Sequence, residues 1–262
     1  MKLLRRFKNF GVTASHDRNA YRDFQTRIGR YYRDHLVRPY VRSGKVLDIG
    51  CAEGGVLLAF AEAGYDCTGL EYSANRVEYA QEQDQGHIRF FQGDIERFVI
   101  PEQYDVILLL DVFEHLADKL TALHHIRQML APAGIVIISF PPFQSAYGGH
   151  QQVMRSWLKF VPWVHLLPES IYLRVLRRVE RQNIESHLRN YRTGTTIRQF
   201  EHLVKQTDLR IIYKQTYLIR PRQALRFDLK IRVYPLNVGQ EYLATGTDYV
   251  LAYENNLHQV NR

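Results

Sequence analysis

Carboxylates recur at one kind of place in this sequence. Asp48 closes the apolar run KVLD and leads into a glycine-rich turn, KVLDIGCAEGG over 45–55. Glu71 closes DCTGLE, Asp94 closes IRFFQGD, and Asp111 closes YDVILLLD, with Glu114 soon after. The turn glycines Gly50, Gly54 and Gly55 are spaced G-x-x-x-G-G, with Ala52 between them. That is not the G-x-G-x-x-G of a dinucleotide site, and there is no Walker lysine. A phosphate among these acids would be repelled by roughly several kcal/mol per close like-charge pair at low effective dielectric. The set suits a cationic ligand that carries a ribose, because Glu71 follows Asp48 by 23 positions, where an acid can accept ribose hydroxyls. Two histidines are candidate bases. His115 follows the fourth acidic run in EHL, and His150 lies in SFPPFQSAYGGHQQ, where Gly148–Gly149 allow a sharp turn.

The elements that must position these groups follow from pattern. KVLDI (45–49), DCTGLEYS (66–73), IRFFQGD (88–94), YDVILLLD (104–111) and GIVIISF (134–140) read as strands. Between them VLLAFAEAG (56–64), ANRVEYAQEQ (74–83) and HLADKLTALHHIRQML (115–130) read as helices, with Gly64 and the APAG segment as stops. Residues 17–40 read as a further helix ended by Pro39. After 195 the alternation resumes with a helix at 196–206 and strands at 209–218 and 247–254. Apolar strands alternating with helices predict an α/β fold: a Rossmann-like, doubly wound, mostly parallel sheet of seven strands. In such sheets ligands sit outside the carboxyl ends of the strands, where the acids lie. His124 and His125 fall inside a helix and read as structural or exposed.

With a ribose, an ammonium and a sulfonium, S-adenosylmethionine meets the requirements of this edge. The same residues carry a resemblance. VLDIGCAEGG, GLEYS, QGDIE, YDVILLLDVFEHL and LAPAGIVIISFPP resemble, in order, the motifs of the class I S-adenosylmethionine-dependent methyltransferases of the small-molecule and glycan-pathway type. The likeness covers about residues 40–142 and the closing strands at 209–254. It implies S-adenosylmethionine as cofactor, held by Asp48, Gly50, Ala52, Gly54, Glu71, Tyr72, Asp94, Ile95 and Asp111. Glu71 would take the ribose, and Asp94 would lie near the adenine amino group. The family usually has glycine where Ala52 stands. Methyl transfer is an in-line displacement, so the protein must align acceptor and methyl group and remove a proton from a hydroxyl acceptor. His150 and His115 are the candidate catalytic residues, and Tyr147, His150 and Trp163 the candidate acceptor-binding ones. No metal-ligating cluster is evident in the sequence.

Composition bounds the rest. The 262 residues carry a formal net charge of +8, unevenly spread. Residues 1–45 are net +9, 46–150 net −10, and 151–234 net +11. Basic arms around an acidic centre favour an anionic partner. Two cysteines, Cys51 and Cys67, imply no disulfide framework and fit a reducing compartment. The start, MKLLRRFKNF, lacks the apolar core of a signal peptide, and no apolar run is long enough to span a bilayer. The expectation is a soluble cytoplasmic protein of one domain. Residues 1–44 would form an N-terminal helical lid, 45–142 the cofactor core, 143–195 an inserted cap, and 196–262 the rest of the core.

The cap has its own chemistry. Ile171, Tyr172, Val175, Leu176 and Val179 share one helical face, and Arg174, Arg177, Arg178 and Arg181 the other, with Trp157, Phe160 and Trp163 just before. Two readings stay open: a lid over the acceptor pocket, or a peripheral membrane contact through 157–182. The acceptor expected is a hydroxyl or carboxyl of a small metabolite, glycan or lipid-linked glycan. Two rivals remain. One is an RNA methyltransferase using the basic segments, although no dedicated nucleic-acid module is evident. The other is a non-catalytic methyltransferase-fold binding protein, marked by failure to bind cofactor.

Overall fold

The computed structural model describes residues 17–254 apart from 85, 181 and 237; part of the expected N-terminal lid, the face position Arg181 and the final residues lie outside the described set. One sheet organises the chain. Its strands are β1 (Lys45–Ile49), β2 (Asp66–Glu71), β3 (Arg89–Gln92), β4 (Tyr104–Leu110), β5 (Leu130–Phe140), β6 (Leu209–Ile219), β7 (Arg232–Val233) and β8 (Gly246–Tyr253). Their order is β3-β2-β1-β4-β5-β8-β6-β7, and α3 (Ala74–Asp84) links β2 to β3. β1 to β5 pair in parallel, and β8 runs antiparallel between β5 and β6.

The sheet has eight strands rather than the seven expected. The extra one, β7, is two exposed residues on the edge, Arg232 and Val233, too short to leave a pattern. β5 also begins four residues early. Leu130 pairs with Tyr104 across a register shift, so APAG is strand and not a helix-ending turn.

Alternation along the strands builds two cores. Leu47, Ile107, Leu109, Val136 and Ile138 face one layer, under α4 (Lys119–Met129) and α7 (Ile197–Val204). Val46, Val106, Leu108, Ile135 and Ile137 face the other, under α1 (Arg18–Tyr32) and α2 (Gly55–Ala61). Each such side chain taken out of water contributes about 1.5–3 kcal/mol, so the sheet is held on both faces. α1 continues as five residues of π-helix, Arg33–Val37. It lies close on α2: a Cβ on Gly29 would come within 2.5 Å of the Val56 carbonyl oxygen. Tyr32 ties it to the sheet, its hydroxyl donating to Asp248 Oδ1 at 2.9 Å.

After β5 the chain leaves the sheet and returns at α7. The two ends of this excursion meet, the Phe143 N–H donating to the Thr195 carbonyl at 2.8 Å. Inside it α5 (Glu169–Val179) and three 3-10 turns gather a small core of Met154, Leu158, Val164, Tyr172 and Leu176. Tyr172 and Leu176 are buried as the helical spacing requires, but Ile171 is 45% exposed, at the margin of the apolar face. Trp157, Phe160 and Trp163 are exposed. α6 (Ile184–Thr193), which the sequence pattern left unmarked, turns back toward the sheet.

Candidate functional site

The carboxyl ends of the parallel strands open into a cavity of about 1070 Å³. Its floor is the set read from the sequence: Asp48, Gly50, Ala52, Glu71, Asp94 and Asp111 all line it, with Tyr72 and Ile95 at the side. Gly50 has φ 75°, and a Cβ there would meet the Val112 side chain at 2.4 Å, so the turn after β1 needs glycine. Glu71 anchors that turn. Its carboxylate accepts from the Ala52 N–H and the Ser73 N–H, each at 2.9 Å. Ala52 itself sits at φ 49°, the conformation that glycine adopts freely. Asp48 is buried, and burial, then the Glu71 charge, holds its carboxyl well above the usual range. Gly54 does not line the cavity; it starts α2 from a left-handed conformation, φ 75°.

α1 forms one wall through Tyr21, Gln25 and Ile28. It grips the glycine turn directly, Arg22 Nε donating to the Glu53 carbonyl at 3.2 Å. α6 forms the opposite wall through Ser186, Arg189, Asn190 and Thr193. No residue of α5 lines the cavity, so the amphipathic helix expected as the lid packs on the cap's own core and leaves the wall to its neighbour. Trp163 also stands away from the cavity. It is 40% exposed, placed outward by a left-handed φ of 58°, which corrects its expected acceptor contact. Tyr147, His115 and His150 do line the cavity. His124 is exposed on α4, and Nδ1 of His125 lies 2.6 Å from the Ile95 carbonyl oxygen.

Two groups of residues were not legible as site residues. The first is a pair of arginines on Asp111. Arg220 donates to Asp111 Oδ1, and Arg222 Nη1 lies 3.2 Å from Oδ2. Burial pushes this carboxyl up, but the two guanidinium charges outweigh it and hold the group below its ordinary value. The arginines flank Pro221 at the carboxyl end of β6, which reaches the same ligand edge; an RPR following a strand was the available signal.

The second is Glu114, which is 2% exposed, with neither carboxylate oxygen hydrogen-bonded. Burial, then the Asp111 charge, pushes it up to about 8. His150 Nε2 lies 3.7 Å from it and is likewise buried without a hydrogen bond, and His115 Nε2 lies 4.0 Å away. Burial, then His115, pushes His150 down to about 3. Burial thus favours the uncharged form of all three; His115 and His150 line the cavity, and Glu114 lies buried behind them. Their ligand atoms lie within 4.8 Å of one another, a metal-competent grouping that the sequence reading did not foresee because two distant loops assemble it.

Chemically, the acid-floored end suits a cationic ribose-bearing ligand, and the His115–His150 end offers neutral imidazoles that can hold an acceptor hydroxyl. A methyltransferase-domain family profile matches residues 16–214. The chain is 32% identical over 150 residues to a ubiquinone biosynthesis O-methyltransferase of Azorhizobium caulinodans, covering 50% of this chain and 58% of that protein. It is 28% identical over 155 residues to the enzyme of the same name from Bradyrhizobium sp., covering 50% of this chain and 61% of that one. The matched region is thus less than two thirds of either relative. Among solved structures, a TehB-like SAM-dependent methyltransferase of Corynebacterium glutamicum shares the fold at TM-score 0.55 and 17% identity, over 92% of this chain and all of that one. The plantazolicin methyltransferase BpumL, solved with SAH, shares it at 0.51 and 16%, over 96% and 91%.

Proposed function

The chain belongs to the methyltransferase-domain family, and from that membership we propose that it transfers the methyl group of S-adenosylmethionine to an oxygen of a small-molecule acceptor. The observation that carries the reading is the row Asp48, Glu71, Asp94 and Asp111 around one cavity at the ends of adjacent strands. Glu71 takes the ribose and Asp94 the adenine side, while Asp48 and Asp111 face the amino-acid end. The acceptor enters between α1 and α6 and meets Tyr147, His150 and His115. Its oxygen attacks the methyl carbon in line, and the proton leaves toward the imidazoles of His115 and His150.

The relatives named for ubiquinone biosynthesis support a hydroxyl on a small molecule. A glycan or lipid-linked acceptor remains a narrower form of the same proposal. No helix among the described residues is long and apolar enough to cross a membrane. A peripheral contact is favoured by one observation: Trp157 and Phe160 are 61% and 63% exposed beside Arg155 and Lys159.

The test is to incubate the protein with methyl-labelled S-adenosylmethionine and a membrane-containing cell extract, using Glu71→Ala as the blank. Label is then counted in small-metabolite, lipid-glycan, RNA and protein fractions. Label in the small-metabolite or lipid-glycan fraction, absent in the blank, is expected. Label confined to RNA would replace the acceptor class, and a chain that binds no cofactor would be a binding protein.

A further inference from the structure

Glu114 has an unusual position for an acid. It is almost wholly buried, both oxygens lack hydrogen-bond partners, and the two arginines nearby are committed to Asp111. His150 Nε2 shares the defect and points at the same carboxylate. At 3.7 Å and 4.0 Å the two imidazoles are too far from Glu114 to hydrogen-bond to it. An orphaned buried polar group costs about 1–3 kcal/mol, and here several meet at one point.

One occupant would take His150 Nε2 and a Glu114 oxygen together. We propose that Glu114, His115 and His150 bind a single divalent transition-metal cation whose open positions face the acceptor end of the cavity. Ligand atoms on a tetrahedral ion with bonds of about 2.1 Å lie about 3.4 Å apart; the histidine nitrogens lie 3.7 Å and 4.0 Å from Glu114 and all three ligand atoms within 4.8 Å of one another, so closing on an ion takes side-chain rotations that draw the atoms in by up to about an ångström. Two imidazoles with one carboxylate select zinc, manganese, iron(II) or cobalt over magnesium or calcium, and three protein ligands leave room for substrate. On the ion Glu114 would be a carboxylate, because metal ligands bind deprotonated.

The role of the ion rests on the methyl-transfer reading. The acceptor hydroxyl oxygen takes an open position on the cation, which acidifies it. Its proton passes to the Glu114 oxygen that is not on the metal. The oxygen lone pair forms the new bond to the methyl carbon, the carbon–sulfur bond breaks, and its electron pair stays on sulfur as the neutral thioether. The oxidation state of the metal does not change.

The experiment uses the full chain, stripped with a chelator and titrated with Co²⁺. Visible ligand-field absorption and equilibrium dialysis read the metal, and S-adenosylhomocysteine binding is measured in parallel. One Co²⁺ per chain is expected, weakened at least tenfold in Glu114→Gln, His150→Gln and His115→Gln, and unchanged in His124→Gln. Cofactor-product binding certifies that each variant is folded, and His115, on the open side of the cluster, is the substitution least able to disturb the fold. Absence of Co²⁺ binding by the parent chain would overturn the site, as would equally tight binding in the three variants. Loss of S-adenosylhomocysteine binding by the parent, with Co²⁺ binding intact, would overturn the methyltransferase reading instead.

Discussion

Asp111 holds a left-handed backbone, φ 58°, at the end of β4 and faces the cavity with two arginines on its carboxylate. That arrangement has a measurable consequence. A buried charge left without its partner costs about 3–5 kcal/mol, whereas removing both partners costs much less. Arg220→Met and Asp111→Asn should each lower the melting temperature, by about 10 °C for a loss near 3 kcal/mol in a chain of this size. Because both singles remove the same Arg220–Asp111 interaction, the double variant should be less destabilised than the sum of the singles, with a coupling of at least about 1 kcal/mol. Strict additivity in a thermal double-mutant cycle would show that the triad is a surface pair of little consequence. Sequence reading reached Asp111 through its place at a strand end, but it could not reach the arginines, which lie more than a hundred positions downstream. Glu114 was passed over for a related reason. Its neighbour His115 draws attention in EHL, and only the packing of Phe113 and the approach of His150 show that the acid is the buried member.

At the scale of elements, the parallel strands were legible because a sheet covered on both faces demands near-continuous apolar runs. All of the expected strands except β5 start within a residue of their observed place. β7 and the π-helical end of α1 were not legible: β7 has no periodicity to read, and the π-helical turn carries the apolar spacing of an ordinary helix. α6 was missed because its cavity face is polar, Ser186, Arg189 and Asn190, so it lacks the stripe that marks a packed helix. The attachment of α1 gives a pH prediction. Burial raises Asp248 to about 6 from its ordinary 3.8, although Ser139 and Tyr32 donate to it. An acid whose folded pKa is raised favours the fold when protonated. Its contribution is therefore full below about pH 4 and is lost as pH rises through about 6. A shift near two units corresponds to about 2–3 kcal/mol. Urea denaturation between pH 4 and 7 should show that slope in the parent and a flatter profile in Asp248→Asn. Parallel profiles would mean that the carboxyl is not protonated in the fold.

At the scale of the molecule, stability is uneven. The sheet carries two extended cores, while the cap rests on five buried residues and a fringe around them. Few buried contacts mean a low free energy of local opening. Both tryptophans of the chain, Trp157 and Trp163, sit in the cap. Tryptophan emission therefore reports on the cap and far-ultraviolet dichroism mainly on the sheet and its helices. In urea the emission change should come at a lower midpoint than the dichroism change; coincident midpoints would mean that cap and sheet unfold as one. The same fluorophores test the membrane contact, since a blue shift with anionic vesicles, absent with neutral ones, is the expected signature of interfacial burial.

The hydrogen bond between Phe143 and Thr195 gives the molecule a neck. Everything beyond it, including His150 and the α6 wall, is one continuous cassette, while the turn at Gly50 and the acids of the floor belong to the chassis. Exchanging this cassette between relatives at those two residues should change which acceptor is accepted and leave the sulfonium donor unchanged. Divergence of substrate choice in such a scaffold need only remodel what lies on one side of a single peptide-to-peptide clasp.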